Sequence, residues 1–204
     1  MDPFWQGLTM GLAYVAPIGL QNLFVINTAL TKPFKQALLT ALIVIFFDIT
    51  LALACFSGAG ALIAQAKFLE MAILLVGSLI VIWIGISLLR PASGDRTEAK
   101  TADSLWQSVT TACVVTWFNP QAIIDGTMML GAFKATLTAQ AARTFIAGVM
   151  SASCLWFLLL TILITCFQTK ITPAFFQWIN RICGIIIIAY GLKLFWNFCQ
   201  LLLF

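Results

Sequence analysis

Only two acidic side chains lie deep within long apolar runs of this chain, Asp48 and Asp125. In a bilayer such a carboxylate costs roughly 2.5–3.5 kcal/mol on insertion scales, so each is expected to face protein or water and to hold a cation or a proton. Asp125 closes the segment Trp117-Phe118-Asn119-Pro120-Gln121-Ala122-Ile123-Ile124-Asp125, and a related segment, Ala16-Pro17-Ile18-Gly19-Leu20-Gln21-Asn22, lies near the start. A proline inside a helix removes one hydrogen bond and clashes with the carbonyl four residues back, here that of Ala13 or Thr116. Where the helix unwinds, the freed carbonyls and the N–H groups of the next half-helix can hold a ligand, and the N–H end suits a carboxylate. Pro17, Gly19 and Pro120 are the expected breaks. Asp48 and Asp125 are then candidates for ammonium, guanidinium or protons, and Gln21, Asn22, Asn119 and Gln121 supply neutral donors and acceptors. Ser151 and Ser153 add hydroxyls, which can equally bond back to their own helix.

The elements that position these groups must be membrane helices. The 204 residues are 62% hydrophobic and 9% charged, with mean hydropathy +1.03, too much apolar surface for a soluble globule of this size to bury. A span needs about 20 apolar residues, and six stretches qualify: 4–29, 37–63, 68–89, 108–132, 142–167 and 175–198. They lack the period-two alternation of barrel strands. The first has no basic leading segment and no small-residue cleavage site, so it is expected to stay as a helix. The six cysteines form no CxxC pair and the chain has no histidine, so neither a metal site nor a cofactor is expected.

The polar groups of the two halves fall in register. Five residues after Pro17 and Pro120 stand Asn22 and Asp125; thirty-one residues after them stand Asp48 and Ser151. With a three-residue shift, Ile84-Gly85-Ile86 meets Tyr190-Gly191-Leu192. The expected fold is an all-α membrane protein of six transmembrane helices, arranged as two inverted three-helix repeats with proline-broken first and fourth helices. It forms a single transmembrane domain over 1–204, with repeats at 1–90 and 104–204 and a polar linker at 91–103. Seven of the eleven Lys and Arg residues fall on the linker's side, which is therefore expected to be cytoplasmic with both termini periplasmic. Trp5, Trp106, Trp178 and Trp196 lie near span ends, as in an aromatic belt, and Gly7xxxGly11 reads as a helix-packing patch.

The two proline segments, together with Asp48, resemble the signature segments of the lysine/arginine exporter (LysE) family, nearest its arginine-exporter branch. The resemblance covers nearly the whole chain. It implies a bacterial inner-membrane secondary transporter that exports basic amino acids, with protons as the coupling ion. Leu20 stands where the family commonly has a second proline, Phe47 where a small or polar residue often precedes the aspartate, and Gln121 where histidine is frequent.

The expected partners are a basic amino acid, protons and the lipid bilayer. No nucleic acid is expected, and a homodimer is compatible with the sequence. An exporter of another small amino acid or metabolite, a channel and a membrane scaffold stand as alternatives. An intramembrane aspartyl protease is disfavoured, because Asp125 lacks the Gly-x-Gly-Asp pattern such enzymes carry, and no enzyme activity is expected.

Overall fold

The computed structural model describes residues 2–58, 67–89, 105–168 and 173–203, and its elements are helical throughout. The Asp2 carboxylate accepts the Phe4 N–H at 2.9 Å, and Pro3 opens helix α1 (Pro3–Val15), where its missing N–H is no loss. Pro17 has no N–H to offer the Ala13 carbonyl, and the ladder ends with the Ala16 N–H on the Leu12 carbonyl. The chain restarts from the extended Gly19 as α2 (Leu20–Thr31), bent by 77° from α1. Lys32 is extended ahead of Pro33, and α3 (Phe34–Ser57) follows. It stops at Gly58, whose φ of +93° lets its N–H cap the Ala54 and Cys55 carbonyls. The end of the expected second span, 59–63, lies outside the described residues.

The remaining elements are α4 (Lys67–Leu89), α5 (Leu105–Trp117), α6 (Pro120–Gly126), a π-helical turn (Thr127–Gly131), α7 (Ala132–Thr136), α8 (Ala139–Gln168) and α9 (Pro173–Leu203). The expected fourth span is thus cut at Phe118–Asn119 and continues as short pieces. The expected third span is helical throughout as α4. Among the described residues, three helical stretches are long and apolar enough to cross a membrane, Phe34–Ser57, Ala139–Phe167 and Gly184–Leu202, or four when the bent pair α1 and α2 counts as one. The 91–103 linker lies outside the described residues.

Two close helix contacts organise the bundle. Helix α1 lies along α8: a Cβ on Gly7 would strike the Phe145 carbonyl oxygen, and one on Gly148 the Phe4 carbonyl oxygen. Helix α4 lies along α9, where a Cβ on Gly85 would come within 3.1 Å of the Gly184 carbonyl oxygen and one on Gly191 within 3.1 Å of the Ile82 nitrogen. Lipid gives helices no hydrophobic reason to associate, so small residues that let backbones touch supply the contact. Gly7→Leu is expected to push α1 off α8 and to cost about 1–3 kcal/mol, as overpacking does. The measurement is a lowered midpoint of thermal unfolding in detergent; an unchanged midpoint would contradict the packing.

Helix α3 runs through the middle. Its buried positions Ala37, Ala41, Val44, Ile45, Asp48, Leu51, Ala52 and Cys55 recur at helical spacing, so Asp48 occupies a place in the apolar stripe. On one side along the helix lie Val25, Val44, Ile45, Ala112 and Phe157; on the other lie Ala52, Phe56, Leu130, Phe145 and Val149. These clusters flank the acid along α3. The opposite face of α3 leaves Leu42, Phe46 and Leu53 exposed, as a lipid-facing side would be, and Trp5, Trp106, Trp178 and Trp196 are all exposed.

Candidate functional site

Asp48 is wholly buried, at 0% exposure. Its Oδ1 accepts from Gln21 Nε2 at 3.1 Å, and its Oδ2 accepts from Ser153 Oγ at 2.5 Å. The same Gln21 amide donates to Thr116 Oγ1 at 3.0 Å. The carboxylate of α3 is therefore held from α2 and α8, and α5 joins the network through Gln21. Both of these partners are neutral, so they offset part of the cost of burying the acid without cancelling its charge. Carboxylate oxygens offer about four acceptor sites, which leaves capacity for a guanidinium, an ammonium or a proton once a donor yields.

The break beside this site is braced. Asn22 is buried, and its Nδ2 donates to the Val15 carbonyl at 2.9 Å and the Pro17 carbonyl at 2.7 Å. Its Oδ1 accepts from Trp156 Nε1 at 2.8 Å. Both amide hydrogens and the amide oxygen are thus engaged by protein, and Asn22 spans the joint between α1 and α2. The expected release of the Ala13 carbonyl gives way to a full break, in which the carbonyls of Val15 and Pro17 need partners and receive them. Ile18, at 75% exposure, and Pro17 lie on the outer side of the joint.

At the second break, Pro120 takes the first position of α6, with Asn119 as the buried residue ahead of it. There the missing N–H falls among groups a helix start leaves unpaired anyway. Gln121 Nε2 donates to Asp125 Oδ1 at 2.8 Å one turn on, on the exposed side of α6. Asp125 consequently turns toward its own helix, while Asp48 is held from α2 and α8. Ser151 donates to the Ala147 carbonyl at 2.8 Å, within its own helix, and Ser153 is the hydroxyl that reaches Asp48.

Three residues at the site were not singled out from sequence as site residues. Thr116 looked only like the source of a freed carbonyl, yet its side chain receives Gln21. Trp156 sits three residues after Ser153, so one face of α8 serves both the acid and the brace. Tyr14 donates its hydroxyl to the Ala122 carbonyl at 3.4 Å, tying α1 to α6 across the two breaks. Tyrosine is rare here, with two in the chain, and a polar tip in the middle of an apolar span was the available signal. Among the described residues no group of three or more His, Cys, Asp or Glu is placed to hold a metal ion.

Residues 12–197 match the family model described as LysE type translocator. The chain belongs to the LysE type translocator family. The matched range takes in both helix breaks, Asp48 and the α4–α9 contact. Among the relatives, the arginine exporter protein ArgO of Enterobacter sp. (strain 638) is 31% identical over 188 residues, covering 90% of this chain and 88% of the relative. The arginine exporter protein ArgO of Shigella flexneri is 30% identical over 196 residues, covering 94% and 92%. That of Salmonella schwarzengrund (strain CVM19633) is 31% identical over 196 residues, covering 93% and 92%. No solved structure matches the chain.

Proposed function

We propose that this LysE-family protein exports basic amino acids, arginine or lysine, across the bacterial inner membrane, by proton-coupled alternating access. The carrying observation is a wholly buried carboxylate, Asp48, held by the two neutral donors Gln21 and Ser153 beside a broken helix. A cationic side chain takes the place of Gln21 at Oδ1, and a proton neutralises Asp48 when the substrate leaves. Either occupant cancels the charge, so the empty ionised acid is the costly state. The first-turn N–H groups of α2, which no side chain caps, suit the substrate's α-carboxylate. Transport of this kind needs no catalytic residue. A channel, which needs a continuous polar path, is disfavoured by the apolar clusters that flank Asp48 along α3.

The six-span, two-repeat architecture belongs to the same proposal. Its support is an exchange pattern in the packing: α1 and α2 of the first half contact α8 of the second, α5 and α6 of the second half contact α3 of the first, and α4 meets α9. That pattern is what two repeats related by an approximate two-fold axis produce. The Lys and Arg distribution supports a cytoplasmic linker and periplasmic termini.

The test uses proteoliposomes loaded with labelled arginine and challenged with a substrate panel. Saturable arginine flux is expected, competed by lysine and driven by a pH gradient. Citrulline, the neutral near-isostere of arginine, is expected to compete at least about a hundredfold less well, because it brings no charge to an acid that is buried. Equal competition by citrulline would refute a carboxylate-based site for cations.

A further inference from the structure

One amide nitrogen is shared between two buried oxygens. Gln21 Nε2 donates to Asp48 Oδ1 at 3.1 Å and to Thr116 Oγ1 at 3.0 Å. A glutamine NH2 carries one hydrogen for each acceptor and none to spare. Asp48 and Thr116 are both at 0% exposure while Gln21 is half-buried, so the amide belongs to the least enclosed of the three residues. The two acceptors are also fixed without it. Ser153 Oγ holds Asp48 Oδ2 at 2.5 Å, and Trp117, next to Thr116, donates its Nε1 to Thr50 Oγ1 at 3.2 Å, two residues along α3 from the acid. The end of α5 is therefore tied to α3 independently of Gln21. Withdrawing the amide would leave a carboxylate oxygen and a hydroxyl oxygen both buried and short of a donor, a costly state that an N–H group from elsewhere would relieve.

We infer that Thr116 is the second acceptor of a cation seat shared with Asp48, that the Gln21 amide is the seat's resident occupant, and that the seat takes one NH2 or NH3+ group of a guanidinium or a primary ammonium. This rests on the exporter reading, in which a cation displaces Gln21 at Oδ1, and adds the residue that binds the rest of the cationic head. A buried guanidinium or ammonium has several N–H groups to satisfy, and Oδ1 alone cannot take them. Thr116 Oγ1 accepts another. Thr116 also stands in the last turn of α5, where the negative end of the helix dipole favours a positive group over a neutral one. Hydrogen bonds from a cation are stronger than those from an amide, so the exchange of Gln21 for substrate is favourable at both acceptors.

The experiment measures the dissociation constant of labelled arginine by equilibrium dialysis against detergent-solubilised wild-type protein, Thr116→Val, Thr116→Ser and Gln21→Ala. Thr116→Val keeps the shape and loses the acceptor, so binding is expected to weaken about fivefold or more, the bond lost to the cation outweighing the bond lost to the amide. Thr116→Ser restores an acceptor and is expected to recover most of the affinity. Gln21→Ala removes the occupant and is expected to tighten binding about threefold or more. A purely structural Thr116 would lower the thermal midpoint without producing this order of affinities. Unchanged affinity in folded Thr116→Val overturns the seat, and weaker binding by Gln21→Ala makes Gln21 a ligand and overturns its role as occupant. Should Gln21→Ala fail to fold, the two Thr116 variants decide alone. Wild-type protein that binds no arginine refutes the exporter reading instead; methylguanidinium, dialysed against the same variants, then decides the seat, and binding of neither probe overturns both.

Discussion

Asp48→Asn is expected to lower arginine flux by more than about a hundredfold, because a buried cation without its counter-charge loses on the order of 3 kcal/mol or more. The same substitution is expected to leave the protein folded, with a thermal midpoint equal to or above that of the wild type. Asparagine has the shape of aspartate; its oxygen can take the Gln21 amide and its Nδ2 can donate to the Ser153 hydroxyl, so the network of α2, α3, α5 and α8 is kept. What disappears is the charge, together with the cost of burying it. A residue present only to glue helices gives the opposite pattern, lost stability with transport falling in proportion. Flux per folded molecule and the unfolding midpoint, measured on one preparation, separate the two. Wild-type flux in Asp48→Asn would remove the acid from the mechanism.

Asp48 was readable from sequence because burying a carboxylate is costly enough to need a reason, and its place in the stripe of α3 follows from helical spacing. The two breaks were readable for a similar reason: a proline within an apolar run subtracts a hydrogen bond wherever it lies. Orientation was harder to read. Asp125 sits on α6, seven residues long, and one face of so short a piece leaves no periodic stripe from which to tell inside from outside. Ser151 and Ser153 show a related difficulty. Matching the halves by offset places Ser151 opposite Asp48, yet equivalent residues of two repeats touch only where both lie near the axis between them. Two residues along a helix turn a side chain by about 200°, so Ser153 faces the acid while Ser151 returns to the Ala147 carbonyl. The placement of Asn22 was hidden for a chemical reason. Composition shows that an amide is present, but only the path of the backbone shows that two carbonyls released by the break lie within its reach.

Asn22→Ala is expected to destabilise the folded protein by about 3 kcal/mol, since it strips partners from the Val15 and Pro17 carbonyls and the Trp156 indole N–H, and an orphaned buried group costs about 1–3 kcal/mol. Trp156→Phe keeps the ring and removes one donor, so its expected cost is nearer 1 kcal/mol. The double variant is expected to be little worse than Asn22→Ala, because the indole bond can be lost only once; the coupling read from the cycle is then about 1 kcal/mol. A substrate-ligand role for Asn22 predicts otherwise: a raised KM for arginine at unchanged stability, and additive effects with Trp156. The result bears on transport through α8, which presents Ser153 to Asp48 and Trp156 to Asn22 from one face. Any movement of α8 that releases the acid also loosens the joint between α1 and α2. Discharging Asp48 and bending the first span are therefore linked through one helix, and Trp156→Phe is expected to weaken that link while leaving the bond between Ser153 and Asp48 in place.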